Sequence, residues 1–396
     1  MVSKCRLLFI AWDAPHVTYL ESLFVPIFQK LRQRNSIQIH VVQFTWADDR
    51  RTKQVAEVCQ HHGIPYTFRP VVTQPFIFGQ LYTIIRGIFF IRQYLRKHGI
   101  NVIMPRSTMP GLMTFFSSQK IPIVFDADGL PIEERVDFAG LSSKSIRFWL
   151  LKKIEGVILK RATVITSRTF RAINYLSESH VIPMSRFVRV INGRDEGVFQ
   201  PCSLAERQSV RSKLGIPEGV PLIVYCGSIG PQYGIDEMLG LHSALNQDGQ
   251  YWMLLLVTQP ERLKSWQPLP DRVCVKKAMI AEVPMLLAAS DIGLALRQPS
   301  FSMQGVAPIK IGEYLLCGLP VVATKGVGDI DAMLSDEELV LLVNFNDWKN
   351  ELPQVVAWIR KSVGANVIDT RTLGQNAFGL QASVKSYEEA LRQWLV

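Results

Sequence analysis

The feature that most constrains this chain is an alternation of short β-branched runs with longer segments of helical periodicity, occurring in two successive series. The first series predicts strands at Arg6–Ala11, Gln38–Phe44, Val102–Met104, Ile121–Phe125, Val164–Thr166 and Val188–Ile191. Helical patterns lie between them at Tyr19–Arg34, Gln80–His98 and Ser145–Lys160. The second series predicts strands at Leu222–Cys226, Met253–Val257, Val273–Val275, Ile292–Leu296, Pro320–Thr324 and Leu339–Val343. Strand–helix–strand repetition of this kind builds parallel sheets with helices on both faces. Turn residues at Asn192-Gly193 and at Phe199-Gln200-Pro201 separate the series, which places a linker at Gly193–Ser203. The expected fold is therefore α/β, with two Rossmann-like doubly wound domains facing across a cleft and ligands at the carboxyl ends of the strands.

A length of 396 residues suits two domains, and an apolar fraction of 48% with 20% charged residues excludes a disordered or low-complexity chain. The six cysteines are scattered without a CxxC or Cys/His cluster, so they read as reduced thiols of a cytoplasmic protein, with no metal site. The apolar run Leu7–Trp12 is too short for a signal-peptide core. The stretch Phe76 to Leu95 carries Arg86 and Arg92, whose charges at a bilayer centre would cost about 2.5–3.5 kcal/mol each, which argues against a spanning helix. Residues 1–200 hold 27 Lys+Arg and 14 Asp+Glu, a formal +13, whereas residues 201–396 come to −3. One half is thus expected to face an anionic surface or substrate.

Three stretches carry chemistry. Tyr225-Cys226-Gly227-Ser228-Ile229-Gly230, ahead of an amphipathic segment from Ile235, is a strand, a glycine-spaced loop and a helix start, the combination that binds anions or makes a mere tight turn. Pro308 suits a first helical position and Gly318 a C-terminal cap, predicting a helix over Pro308–Cys317. Its first amides, at Ile309 and Lys310, then suit a phosphate. Lys310 and Glu313 share a face, as ligand contacts or as an ordinary i,i+3 ion pair. In the first half, Asp126 and Asp128 follow a buried strand and read as catalytic carboxylates or as a helix N-cap. Arg106, at another strand end, is a substrate contact or an ion-pair residue, and His16 an acceptor-side base or a helix-start cap.

The string Pro308-Ile-Lys310-Ile-Gly-Glu313-Tyr314-Leu-Leu-Cys-Gly318-Leu-Pro320-Val-Val-Ala-Thr resembles the donor-site motif of GT-B glycosyltransferases of family four, the group 1 type. Val283-Pro284 through Ala289-Ser290-Asp291-Ile292-Gly293 resembles the lead-in to that motif. Val190-Ile191-Asn192-Gly193-Arg194-Asp195 with Phe199 and Pro201 is similar to the interdomain linker. Phe378 through Tyr387 resembles the last helix, which crosses back to the first domain. The implied domains are 1–195 on the acceptor side, 196–375 for the nucleotide-sugar, and 376–396 as the returning helix. The resemblance implies that Glu313 binds ribose hydroxyls, that the Ile309 and Lys310 amides hold phosphate oxygens, and that Lys276–Ala278 lie near the base. It also implies that Asp128 stands about where a family histidine contacts the transferred sugar.

Three positions depart from the family pattern: Gly305 replaces a glutamate, and Ser228 and Tyr233 replace loop cations. Arg297, Lys310 and Arg194 are the expected substitutes for neutralising a diphosphate. The expected function is transfer of a sugar, with retention and without a cofactor or catalytic metal, from a nucleotide-sugar to a glycan or lipid-linked acceptor. The bacterial setting implied is surface-polysaccharide or lipopolysaccharide assembly. An epimerase of the same fold and a non-catalytic nucleotide-sugar-binding protein are the alternatives. The basic, aromatic segments Phe76–Lys97 and Arg147–Arg161 suggest an anionic membrane partner, with the protein peripheral on the cytoplasmic face. No nucleic-acid recognition motif accompanies them.

Overall fold

The computed structural model describes residues 5–247, 249–277 and 279–395. The chain divides into two compact units, Met1–Asn192 with Ser383–Val396, and Gly193–Ala382, where the sequence suggested divisions after 195 and 375.

In the first unit β1 (Cys5–Asp13), β2 (Ile37–Thr45), β3 (Tyr66–Pro70) and β4 (Val102–Pro105) form a parallel sheet in the order β3-β2-β1-β4. A second parallel group contains β5 (Val124–Asp126), β6 (Val164–Ser167) and β7 (Phe187–Arg189). Bridges at Ile103–Ile123 and Arg106–Asp126 join β4 to β5. Leu7 to Ala11 of β1 are buried on both faces, which is why that strand reads as a continuous apolar run. Strand β3 was not anticipated: it is a half-buried edge strand ending in Pro70, without the apolar density of the central strands. The strand expected from Ile121 starts only at Val124, since Pro122 has no N–H to give a ladder and contributes only its carbonyl, to Ile103.

Helix starts in this unit follow local chemistry. Ser145 caps Ile146–Arg161 by accepting from the Phe148 amide, and Thr169 caps Phe170–His180 through the Ala172 amide. The helix Phe76–His98 stops at Gly99, whose φ of 59° an L side chain rarely adopts.

The second unit is a six-stranded parallel sheet of β8 (Leu222–Gly227), β9 (Trp252–Val257), β10 (Val273–Lys276), β11 (Ile292–Ala295), β12 (Val321–Thr324) and β13 (Val340–Val343). Their order is β10-β9-β8-β11-β12-β13, so the direction of winding reverses between β8 and β11. A ligand crevice forms at such a reversal. Asp291 enters β11 as a structural acceptor, taking Arg207, Arg211 and the Leu222 amide at 2.5, 2.5 and 2.7 Å. The helix Leu204–Lys213 that supplies both arginines begins with a Ser203–Glu206 capping box.

The last helix, Leu380–Leu391, passes from one unit into the other at Ser383. From there it is tied to the first unit: Ser383 Oγ donates to the Ile191 carbonyl, the Ile191 amide donates to Ser386 Oγ at 3.0 Å, and Asn35 donates to Glu388 at 3.0 Å. Among the described residues, no helix is long and apolar enough to cross a membrane.

Candidate functional site

In the second unit the site is built around the helix Ile309–Leu316, which begins beside the carboxyl end of β8. The helix is a residue shorter at each end than expected. Pro308 is its N-cap, with φ −81° and ψ 60°, not its first helical residue. That conformation closes a tight turn in which the Ile309 amide donates to the Ala307 carbonyl at 2.9 Å. The Ile309 amide, expected to hold phosphate, is therefore engaged locally. Of the two expected donors, the Lys310 amide is the one with no such bond among the described residues.

One turn into the helix, Glu313 is 2% exposed and lies between two cations. Arg194 meets its Oε1 through Nε and Nη2, both at 2.8 Å, and Lys310 Nζ meets its Oε2 at 3.1 Å. Burial works against the charge of Glu313, but Lys310 and Arg194 outweigh it and hold the carboxyl below its ordinary range. The i,i+3 ion pair anticipated as the plainer reading of Lys310 and Glu313 does form, as part of a triad. Arg194, expected as a diphosphate cation, is itself buried and committed to Glu313. Lys310 is the outward member, its side chain 39% exposed.

Tyr314, the next residue, carries the helix onto the sheet. Its hydroxyl accepts from the Cys226 amide at 2.9 Å and donates to the Leu294 carbonyl at 3.1 Å. It thus bridges β8 and β11 at the point where the winding reverses. The fit requires glycines: a Cβ on Gly293 would fall 2.5 Å from the Tyr314 ring, and one on Gly312 would fall 2.5 Å from Phe378 Cβ.

The loop after β8 carries Gly227, Ser228 and Gly230. A Cβ on Gly227 would meet the Tyr225 hydroxyl at 2.6 Å, and that hydroxyl donates to the Ser228 carbonyl at 2.6 Å. Gly230 accepts from the Tyr233 amide at 3.0 Å, closing the turn. Where the family pattern has a loop cation, the Tyr233 ring carries the Arg297 guanidinium at 5.1 Å, and the two backbones form a bridge. Arg297 reaches this loop from beyond β11, with its amide donating to Thr324 Oγ1 at 3.0 Å. Gly305 is buried in a tight turn, Phe301–Gly305. Lys276 ends β10 and approaches Glu282 at 3.9 Å, while Ala278 lies outside the described residues.

The first unit has its own ionic centre at the ends of β1, β4, β5 and β6. Arg106 is buried and pairs with Asp128 at 2.5 Å and Asp13 at 3.4 Å, with Asp126 at 3.9 Å. Arg168 pairs with Asp126 at 2.7 Å and reaches Asp128 at 3.6 Å. Burial opposes the charge of both arginines, but the carboxylates prevail and raise both pKa values. Asp13 is raised, burial outweighing Arg106 and the Gln43 hydrogen bond. Asp126 is wholly enclosed and Asp128 has a side chain 27% exposed, so only Asp128 presents a carboxylate outward.

Asp128 also has φ +54°, a left-handed backbone uncommon for a residue with a side chain. Neither aspartate is an N-cap: the helix Pro131–Phe138 starts after Leu130 without a side-chain cap. His16 is exposed in the turn after β1 and caps no helix either, since the next helical turn starts after Tyr19.

Sequence reasoning missed Asp13, Arg168 and Tyr387 in this centre. Arg168 follows β6 as Arg106 follows β4, and a charge directly after an apolar strand was the available signal. Nothing local marks Tyr387, which comes from the last helix and is fully buried beside Arg168.

A switch-point cation–carboxylate triad under a glycine loop, on two doubly wound units, defines the class: the chain has the GT-B glycosyltransferase fold. A glycosyltransferase from Rickettsia africae ESF-5 superposes with a TM-score of 0.73 at 13% identity, over 98% of this chain and 99% of the other. Anabaena Alr3699/HepE, solved in complex with UDP and glucose, gives 0.72 at 15% identity over 98% and 100%. The lipopolysaccharide outer core galactosyltransferase WaaB, in apo form, gives 0.66 at 11% identity over 98% and 99%. No curated relative matches at the sequence level. Residues 220–360, within the second unit, match the family model described as Glycosyl transferases group 1, the group that the motif helix resembles.

Proposed function

We propose that this protein is a hexosyltransferase that moves a sugar from a nucleotide-activated donor to a glycan or lipid-linked acceptor, with retention and without a bound metal. The observation that carries the reading is the Arg194–Glu313–Lys310 triad at the start of a helix that abuts the strand-order reversal. The half-buried Lys310 side chain, the Lys310 amide and Arg297 supply positive charge and donors for a diphosphate. Such groups lower a barrier when they meet the charge that grows on a leaving phosphate, and removing one donor typically costs about 10²–10³ in rate. The Gly227–Gly230 loop lets backbone approach the same ligand, and Glu313 is assigned to the ribose.

In the first unit, Asp128 is the catalytic candidate, aimed at a sugar hydroxyl. Asp126 is assigned the supporting role of holding Arg168 and, through its Oδ1, the Asp128 amide at 3.2 Å. Arg106 acts through Asp128, and His16 is retained on the acceptor side. The setting proposed is bacterial surface-polysaccharide or lipopolysaccharide assembly, a reading supported by the likeness to the lipopolysaccharide galactosyltransferase WaaB. The protein would work on the cytoplasmic side, at an anionic membrane surface.

The test is a thermal-shift panel of UDP, GDP and other nucleoside diphosphates, with Glu313→Ala and Arg297→Ala as controls. A nucleotide present at a hundred times its Kd stabilises by about 2.7 kcal/mol, a shift that is readily seen. Stabilisation of the wild type by one nucleotide, weakened in both variants, supports the reading. No response to any nucleotide, or equal responses in the variants, overturns it.

A further inference from the structure

The helix Phe76–His98 contains no Asp or Glu and turns an apolar stripe to solvent. Phe78, Leu81, Tyr82, Ile85 and Phe89 follow i, i+3, i+4, i+7, i+11 spacing, and all are exposed, Phe78 by 74% and Phe89 by 64%. A stripe of this regularity on the outer face is the reverse of what a core-packing helix shows. Its buried side is separately accounted for by Thr83, Gly87, Ile91, Tyr94 and Leu95. Further along the exposed face come Arg92, Arg96 and Lys97.

The surface continues across the helices that pack beside it. Thr108–Ser117 lies against Phe76–His98, exposes Phe116 and carries no charge. Ile146–Arg161 lies against Thr108–Ser117 and exposes Ile146, Trp149 and Leu150, with Lys153 Nζ 4.9 Å from the Trp149 ring. The one acid in these three helices, Glu155, is buried and paired with Lys152 and His180. The exposed residues of these three neighbouring helices thus include aromatic, aliphatic and cationic side chains and no acid.

A second observation points to the ligand. Beside the stripe a cavity of about 50 Å³ is lined by Arg69, Val72, Tyr82 and Arg86 among others. Neither arginine has a carboxylate partner among the described residues. Arg69 sits over the Phe90 ring at 4.4 Å and Arg86 donates to the Tyr82 hydroxyl at 3.0 Å. Two uncompensated guanidiniums in one notch, at the edge of an apolar stripe, fit a phosphate at the level where acyl chains begin.

We infer that this face of the first unit docks on an anionic bilayer, with Phe78, Leu81, Ile85 and Phe89 entering the interface and the Arg69–Arg86 notch holding a lipid headgroup phosphate. This deepens the membrane contact proposed above and assigns it to residues. The stripe supplies apolar burial and the cations supply lipid selectivity, neither alone giving firm attachment.

Co-sedimentation with phosphatidylcholine vesicles, with and without phosphatidylglycerol and at low and high salt, tests it on the full chain. The wild type is expected to bind only anionic vesicles, and less at high salt. Phe78→Ser with Phe89→Ser is expected to abolish binding. Arg69→Gln with Arg86→Gln should lose more than Arg96→Gln with Lys97→Gln, whose loss is roughly five-fold per charge. Circular dichroism and the nucleotide thermal shift report whether each variant is folded.

No binding at low salt, equal binding to neutral vesicles, or unaltered binding of the serine variant overturns the inference. Equal losses in the two arginine-containing pairs overturn the notch. A dimer in solution that the serine substitutions disperse would assign the stripe to a second copy and also overturn it. Because vesicle binding and nucleotide response are read separately, failure here leaves the donor-site reading standing, and the converse holds.

Discussion

Arg194 holds one oxygen of Glu313 through two nitrogens, Nε and Nη2, both at 2.8 Å, across 119 residues of sequence. The contact fixes the start of the second unit onto the helix that carries the donor-site motif. Arg194 is further tied by its amide to the Phe378 carbonyl at 2.8 Å, so linker, motif helix and the end of the helix Val367–Phe378 meet at one residue.

Removing one partner of this pair should be costly. Arg194→Met leaves Glu313 buried with Lys310 as its remaining cation, and breaking a buried pair typically costs about 3–5 kcal/mol. Urea unfolding should show a lower midpoint, with nucleotide response reduced along with it. A midpoint unchanged within error would mean that the triad contributes nothing to the fold.

The same carboxyl sets a pH dependence. Glu313 has a folded-state pKa below its ordinary value of 4.5, so its stabilising contribution is complete above the unfolded carboxylate range. The contribution is lost as pH falls through the lower, folded value. The stability gap between wild type and Glu313→Gln should therefore be widest near neutrality and shrink below about pH 4.5. A gap that stays constant down to acid unfolding would contradict the assignment.

Tyr314→Phe keeps the ring against Gly293 but deletes the hydroxyl that joins Cys226 and Leu294. Two buried backbone groups lose their partner, each at about 1–3 kcal/mol. Gly293→Ala should cost about 1–3 kcal/mol for the opposite reason, overpacking against the same ring. Hydrogen exchange at the Cys226 amide separates the two: it accelerates in Tyr314→Phe more than the loss of global stability accounts for.

For the first unit, Asp128→Asn conserves shape and removes charge. Transfer should fall by at least ten-fold while nucleotide binding, read by thermal shift, is unchanged. Full transfer activity in this variant would take Asp128 out of the mechanism. Asp128→Gly relieves the φ of +54° and provides the contrast: activity lost, with backbone strain removed.

Arg297→Ala removes the guanidinium stacked on Tyr233. Donor affinity should drop while KM for the acceptor stays constant, and Arg297→Lys should restore only part of it, because a lysine has no planar face to stack. An unchanged donor KM in Arg297→Ala would remove this cation from the donor site.

Strand positions were legible where short apolar runs alternate with helical periodicity, most clearly in central strands such as β1 and β8 that are covered on both faces. Even the edge strands β7, β10 and β13 carry runs of apolar, mostly β-branched residues and were placed with the central ones, whereas Tyr66–Pro70, with Arg69 and a terminal Pro70, left no such run. The donor-site helix was legible through its punctuation, Pro308 and Gly318, although the turn at Pro308 moved its first residue and engaged the Ile309 amide. The partners of the charged residues were not legible. Asp126 and Asp128 gave no indication that Arg106 and Arg168 would meet them, nor Glu313 that Arg194 would, because ion pairing depends on distances across elements far apart in sequence.

The sequence by itself determined the two α/β units, the placement of all their strands but β3, the glycine-spaced loop after β8 and the basic character of the first half. These follow from periodicity, backbone freedom and charge, which are local properties. Only the tertiary structure decided which charges are wholly enclosed and which members of the same ion pairs keep part of their side chain in solvent: Asp126 enclosed and Asp128 part-exposed, Arg194 enclosed and Lys310 part-exposed. Burial and pairing are properties of three-dimensional neighbours, and in a low-dielectric interior those neighbours set whether a charged group supports the fold or remains available for chemistry.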